Sequence, residues 1–177
     1  MIGIIGAMGV EIQSLVQMLE NRETVTLSGI EYAKGTIHNR EVVLAVCGIG
    51  KVFAAVCAQT MILKFAPDVI INTGVAGTLT ESLTIGDIAV SENVAQHDMD
   101  TTALGDPAGF LSGINIIKIP ADGKTRQLLV DCIKQLGVNY RTGTICSGDQ
   151  FLASQEVKDR IVKNFGAIAG EMAGLLY

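Results

Sequence analysis

Short apolar runs of strand length recur along the chain, each bounded by glycine, proline or polar residues, and amphipathic stretches of helical length separate them. Residues 2–7, 41–47, 68–72, 85–90, 143–146 and 167–169 are the strand-like runs, rich in Ile and Val. Their apolar positions are continuous rather than alternating, the pattern of strands covered on both faces in parallel or mixed sheets. Helical spacing predicts helices over residues 10–21, 51–65, 124–136 and 155–164. In the first of them Val10, Leu15, Met18 and Leu19 fall near one face. Residues 32–47 differ: two short strands flank His38-Asn39-Arg40, which is hairpin chemistry. Strands alternating with such helices give an α/β fold, here a mixed, largely parallel central sheet flanked by helices. No repeat or linker interrupts the 177 residues, so a single domain over residues 1–177 is expected. The stretch from Gln96 to Asp122 reads as one long loop, a length that often serves a lid or a contact surface.

Composition narrows the class of partner. The net charge is −5 and the arginines are scattered, which excludes the basic footprint of a nucleic-acid binder. Mean hydropathy is positive, yet no apolar run reaches the ~18 residues of a membrane span. The apolar start has no basic lead and meets Glu11 early, so it reads as a buried strand rather than a signal peptide. Cys47, Cys57, Cys132 and Cys146 form no Cys-x-x-Cys pair. Their apolar surroundings predict buried, reduced thiols and a cytoplasmic protein.

Three glycine-bearing segments directly follow strands: Gly6-Ala7-Met8-Gly9, Gly48-Ile49-Gly50-Lys51 and Gly74-Val75-Ala76-Gly77. Such glycines make tight turns, and they also let backbone amides approach a ligand. Ligands in open α/β sheets sit at these strand ends. The glycine spacing fits neither the dinucleotide fingerprint nor the phosphate-binding P-loop, so neither NAD nor ATP is indicated.

Candidate chemistry gathers around the same ends. Glu11 opens the first helix, either as a carboxylate favoured by the helix dipole or as a general base aimed into a site. His97-Asp98-Met99-Asp100 has the look of a metal cluster but lacks a neighbouring second His or Cys, which favours ordinary loop hydrogen bonding. Ser147-Gly148-Asp149-Gln150-Phe151 follows a strand; Asp149 suits a helix cap, and Phe151 suits an aromatic plate for a planar ligand. Glu171-Met172 follows the last strand, where a carboxylate can accept from sugar hydroxyls.

In this order, and over nearly the whole chain, these segments resemble the 5′-methylthioadenosine/S-adenosylhomocysteine nucleosidases of the nucleoside phosphorylase superfamily. The resemblance rests on residues 2–8 with Glu11, on Gly48-Ile49-Gly50-Lys51-Val52 and on residues 68–77. It continues through His97-Asp98-Met99-Asp100, Ser147-Gly148-Asp149-Gln150-Phe151 and Glu171-Met172. It implies cleavage of the bond between adenine and a 5′-thioribose by water, without a cofactor, in a homodimer. By the same resemblance, Glu11 is the carboxylate that orients and deprotonates the water. Phe151 stacks on adenine and the Leu152 backbone meets its edge. Met172 packs on the ribose, with Glu171 in the same turn. Ile49 and Leu104 line the alkylthio pocket, Leu104 reaching in from a partner chain, and Met8, Val75 and Thr101 complete the substrate-binding set.

Two positions depart from the family pattern. Ala173 stands where the family carries a second Glu that grips the ribose hydroxyls. The family's catalytic aspartate lies in a Ser-Asp motif after a further strand, so the resemblance implies a chain shortened at its C-terminus, without the last strand and helices. Hydrolysis is the expected activity. A purine nucleoside phosphorylase and a catalytically impaired nucleoside-binding remnant remain open alternatives. No arginine occurs in the first and third glycine segments to hold the phosphate a phosphorylase needs.

Overall fold

The computed structural model describes residues 1–173. The chain forms two compact units, Met1–Val75 together with Ala173, and Ala76–Met172. The architecture is α/β with mixed sheets, as the pattern predicts, and the strands divide between two sheets of five.

The first unit holds β1 (Ile2–Gly6), α1 (Gly9–Gln17), β2 (Glu20–Leu27), β3 (Ile30–Ile37), β4 (Arg40–Val46), α2 (Lys51–Phe65) and β5 (Val69–Asn72). Its sheet runs β2-β3-β4-β1-β5. Strand β1 is parallel to both β4 and β5, while β2, β3 and β4 form an antiparallel meander. The β3–β4 turn places His38 and Asn39 at φ 48° and 61°, the left-handed pair that a two-residue hairpin uses. Burying Ile5, Tyr32, Val43, Ala54, Cys57 and Met61 together fixes α2 on one face of the sheet. The Tyr32 hydroxyl donates to the Cys57 carbonyl at 3.0 Å, which satisfies a buried polar group inside that core. On the other face Ile12, Leu19, Ala33, Val42 and Leu44 pack together.

The second unit contains β6 (Gly77–Thr78), β7 (Ile88–Gln96), a 3-10 turn (Thr102–Leu104), β8 (Lys118–Pro120) and α3 (Gly123–Leu136). It continues with β9 (Tyr140–Ser147), α4 (Gln155–Phe165) and β10 (Ala167–Glu171). The sheet order is β6-β10-β9-β7-β8. The three central strands are parallel, and short antiparallel strands edge the sheet on both sides. Helix α4 buries Ile161 and Phe165 against Ala95, Cys146 and Ala167. Helix α3 buries Val130 and Ile133 against Val90. Burial pushes the Cys146 thiol up to about 12.

Several elements differ from the sequence expectation. The predicted 10–21 helix ends at Gln17, and residues from Glu20 onward form the edge strand β2 instead. That strand is polar because most of it faces solvent, so it carries no apolar signal. Ile12 is the buried anchor of α1, whereas Val10 and Met18 are exposed. The predicted strand at 85–90 begins at Ile88 and runs to Gln96. Ile85 lies in a turn, where the Thr84 N–H and hydroxyl both donate to the Asp87 carboxylate. The long loop after Gln96 contains the 3-10 turn and β8. Cys132 is exposed on α3, because the buried face of that helix carries Val130 and Ile133; the other three thiols are buried as expected. Among the described residues, no helix is long and apolar enough to cross a membrane.

Candidate active site

In the first unit the carboxyl ends of β4, β1 and β5 lie side by side, with Gly6 opposite Val46 and Ile5 opposite Asn72. The ladder continues into the loops. Gly48 N–H donates to the Ala7 carbonyl at 3.1 Å, and Thr73 N–H donates to the Ile5 carbonyl at 3.0 Å. Ile49 stands exposed between Gly48 at φ 92° and Gly50 at φ 113°, backbone angles that a side chain would resist.

Glu11 lies at this edge. Helix α1 starts immediately beyond β1 and puts Glu11 in its first turn. One carboxylate oxygen, Oε2, accepts from Met8 N–H at 2.9 Å. The other, Oε1, accepts from Val75 N–H at 3.0 Å, across to the loop that follows β5. Glu11 therefore serves the helix start and also projects to the strand ends. A Cβ on Gly74 would lie 2.7 Å from Oε1, so only glycine lets the carboxylate lie against that backbone. A carboxylate offers about four lone-pair sites. Two face backbone amides here, which leaves acceptor capacity for a water.

In the second unit the ends of β7, β9 and β10 align, with Gln96 and Glu171 both opposite Ser147. His97 N–H donates to the Ser147 carbonyl at 3.0 Å, and Gly148 N–H donates to the Glu171 carbonyl at 3.2 Å. Asp149 N–H donates to Asp98 Oδ2 at 2.8 Å. Asp149 caps no helix, because Ser154 holds the N-cap position of α4. The buried His97 imidazole lies over Gly148, and a Cβ there would run into the ring. Beyond this turn Phe151 is 85% exposed. Leu152 is half-buried, its side chain packed on Gly170 beside the α4 core. Glu171 and Met172 are half-buried at the end of β10.

The remaining predicted residues lie on the loop after β7. Thr101 Oγ1 donates to Asp106 Oδ2 at 2.8 Å, and Leu104 projects from the 3-10 turn, 83% exposed. Asp100 accepts from the Thr102 hydroxyl and N–H, which hold its carboxyl below the ordinary range. Asp98 and Asp100 thus make the ordinary loop hydrogen bonds the sequence suggested. Among the described residues, no group of three His, Cys, Asp or Glu side chains is placed to hold a metal. Met8, Glu11, Ile49 and Val75 are brought together in the first unit, and Phe151, Leu152, Glu171 and Met172 in the second. Ala173 is buried with Ile5 and Met61 in the first unit, where Asn72 Nδ2 donates to its carbonyl at 3.4 Å. Sequence reasoning missed the Val75 amide as a partner of Glu11 and the close packing at Gly74 and Gly148. Glycines beside the candidate residues were the available signal.

Comparison with known proteins places this arrangement in a family. The sequence model of the phosphorylase superfamily matches residues 1–175. The chain is 40% identical over 175 residues to the 5′-methylthioadenosine/S-adenosylhomocysteine nucleosidase of Shewanella halifaxensis, covering 98% of this chain and 76% of that protein. It is 41% identical over 173 residues to the nucleosidase of Staphylococcus carnosus, covering 97% of this chain and 75% of that protein. The crystal structure of the Neisseria meningitidis nucleosidase with methylthio-immucillin-A superposes with a TM-score of 0.93 at 36% identity. That superposition covers 97% of this chain and 74% of the other. The chain therefore belongs to the phosphorylase superfamily and, within it, to the 5′-methylthioadenosine/S-adenosylhomocysteine nucleosidases.

Proposed function

We propose that this protein hydrolyses the N-glycosidic bond of 5′-methylthioadenosine and S-adenosylhomocysteine, releasing adenine and a 5-thioribose product. The observation that carries the reading is the Glu11 carboxylate, fixed at the carboxyl ends of β1 and β5 by the Met8 and Val75 amides. Cleavage passes through an oxocarbenium-like sugar, which needs negative charge near the anomeric carbon and an activated nucleophile. Glu11 supplies both. It orients a water through its remaining lone pairs, takes a proton as the water attacks, and stabilises the cationic sugar meanwhile.

Phe151 offers its exposed ring to the adenine face, and the Leu152 backbone meets the base edge. Met172 and Glu171 serve the ribose. Ile49, Leu104, Met8, Val75 and Thr101 serve the alkylthio group and the sugar. The C–N bonding electrons leave with adenine, which takes its proton from solvent water. Phosphate is disfavoured as the nucleophile, because a carboxylate at the strand ends repels an anion and the first and third glycine segments carry no arginine. The reaction needs no cofactor.

The protein acts as a cytoplasmic homodimer in methionine salvage. The four free thiols fit a reducing compartment. Helix α2 supports the dimer: it buries Ala54, Cys57, Ala58 and Met61 while exposing Val52, Phe53, Val56 and Leu63. A helix apolar on both sides needs a second covering surface, and a second copy of the chain supplies it. Sedimentation that gives a monomer at micromolar concentration overturns this assignment.

The decisive experiment is a coupled assay of adenine release from 5′-methylthioadenosine, with and without phosphate. Phosphate-independent release supports hydrolysis, and phosphate-dependent release supports a phosphorylase. No release at high protein concentration sinks the nucleosidase reading.

A further inference from the structure

The turn that carries Phe151 is tied down on both sides of β9, by backbone bonds and by the Asp98 side chain. Gly148 N–H donates to the backbone carbonyl of Glu171 on β10, and the Ser147 carbonyl accepts the backbone N–H of His97 after β7. Any sequence that forms this sheet makes both bonds. The next amide, Asp149 N–H, lies one residue beyond the ladder and is held at 2.8 Å by the Asp98 carboxylate. Three residues later Leu152 is anchored on Gly170 and the α4 core. Only Gln150 and Phe151 span the interval between those anchors, and Phe151 itself makes little contact, being 85% exposed. The direction of its ring follows from the two ends of that short bridge. One end is hydrophobic packing. The other is the hydrogen bond to Asp98, and between them the Phe151 carbonyl accepts from Ala153 N–H at 3.0 Å.

We infer that Asp98 is a positioning residue for base recognition: it sets the Asp149–Leu152 bridge so that the Phe151 ring and the Leu152 backbone meet the adenine together. This rests on the nucleosidase reading for the identity of the base; the tie itself is a property of the loop. Asp98 does not touch the substrate. Its effect is to order a segment in advance, so that the entropy of fixing it is not spent on binding.

The test uses the full chain in three forms: unaltered, Asp98→Ala and Asp98→Asn. Asparagine keeps an oxygen that can accept the Asp149 amide, whereas alanine removes it. Adenine affinity by calorimetry is expected to weaken about tenfold or more in D98A and to stay within about threefold in D98N, the range of a lost hydrogen bond to a charged group. Hydrogen exchange over the Gly148–Leu152 peptide, measured without ligand, is expected to speed up in D98A only, with the thermal midpoint nearly unchanged. Equal exchange in all three forms overturns the tie. Faster exchange in D98A with unchanged adenine affinity overturns the positioning role. A large loss in D98N equal to that in D98A also overturns it, because geometry would then not be what matters. Absence of adenine binding by the unaltered chain counts against the nucleosidase reading alone, since the exchange signature is read without ligand.

Discussion

The two units solve the same problem with the same device and put it to different uses. In each, a carboxylate that follows one parallel strand reaches across to a backbone N–H in the loop after a neighbouring strand. Glu11 after β1 accepts from Val75 after β5, and Asp98 after β7 accepts from Asp149 after β9. In each, a glycine lies directly against a side chain of the same cluster: Gly74 against the Glu11 carboxylate, Gly148 against the His97 ring. The difference is in what remains available. Glu11 has the longer stem and starts a helix, so its two oxygens each take one amide and keep acceptor capacity for chemistry. Asp98 sits on a loop that is already threaded with backbone bonds, and its carboxylate completes a scaffold. On the proposed reading, the carboxylate across the strand ends is reactive in the first unit and structural in the second.

The largest expected effect tests the reactive side. Glu11→Gln keeps an oxygen to accept an amide but removes the base, so turnover should fall about 10²–10⁴-fold. The thermal midpoint should move little, as a scan of both proteins side by side will show. Undiminished turnover in E11Q would move the base elsewhere and dissolve the contrast between the two units.

A paired substitution sharpens the contrast. Gly74→Ala drives a Cβ toward the Glu11 carboxylate, the end of a flexible side chain that can swing aside. Turnover should drop by about tenfold or more, because small displacements of catalytic groups are costly, while stability holds. Gly148→Ala drives a Cβ into the buried His97 ring. Overpacking of that kind costs about 1–3 kcal/mol, and the thermal midpoint should fall by several degrees. Equal midpoints in the two variants would show that the second unit yields as readily as the first.

Much of this was legible from residue order, and the gaps have physical causes. Helix α2 matches its expected bounds because Gly50 precedes it and Ala66-Pro67 stop it. The hairpin around His38-Asn39 is likewise marked by its own turn residues. Strand β2 left no trace, because an edge strand facing water has the same polar composition as a loop. At the site, glycine loops after strands marked both sheet edges. The Val75 partnership with Glu11 was hidden, because its donor is a backbone amide 64 positions away and any residue type supplies one. The role of Asp98 was hidden for the same reason. A sequence displays the acceptor and conceals which amide it will meet.

The smallest effect concerns a third carboxylate bridge, at the opposite ends of the strands in the second unit. Asp87, just before β7, accepts from Thr84 N–H at 2.7 Å and from Asn139 Nδ2 at 2.8 Å, just before β9. The Thr84 amide and then Asn139 hold its carboxyl below the ordinary aspartate range. A carboxyl lowered on folding contributes stability that is complete above the unfolded value of about 3.9. That contribution fades as pH falls through the lower folded value. Asp87→Asn has no charge to lose, so its thermal midpoint should lie slightly below that of the unaltered chain at pH 7. The gap should close as pH falls below about 4, through the lower folded value. Adenine affinity should not change at all, because this bridge lies at the amino ends of the strands, away from the Phe151 turn. If D87N weakened adenine binding as much as D98A, tying two strand ends together would stiffen the whole sheet, and the position of the tie would carry no functional meaning. A change confined to the stability curve would show that the carboxyl ends matter because the ligand-binding loops leave the sheet there.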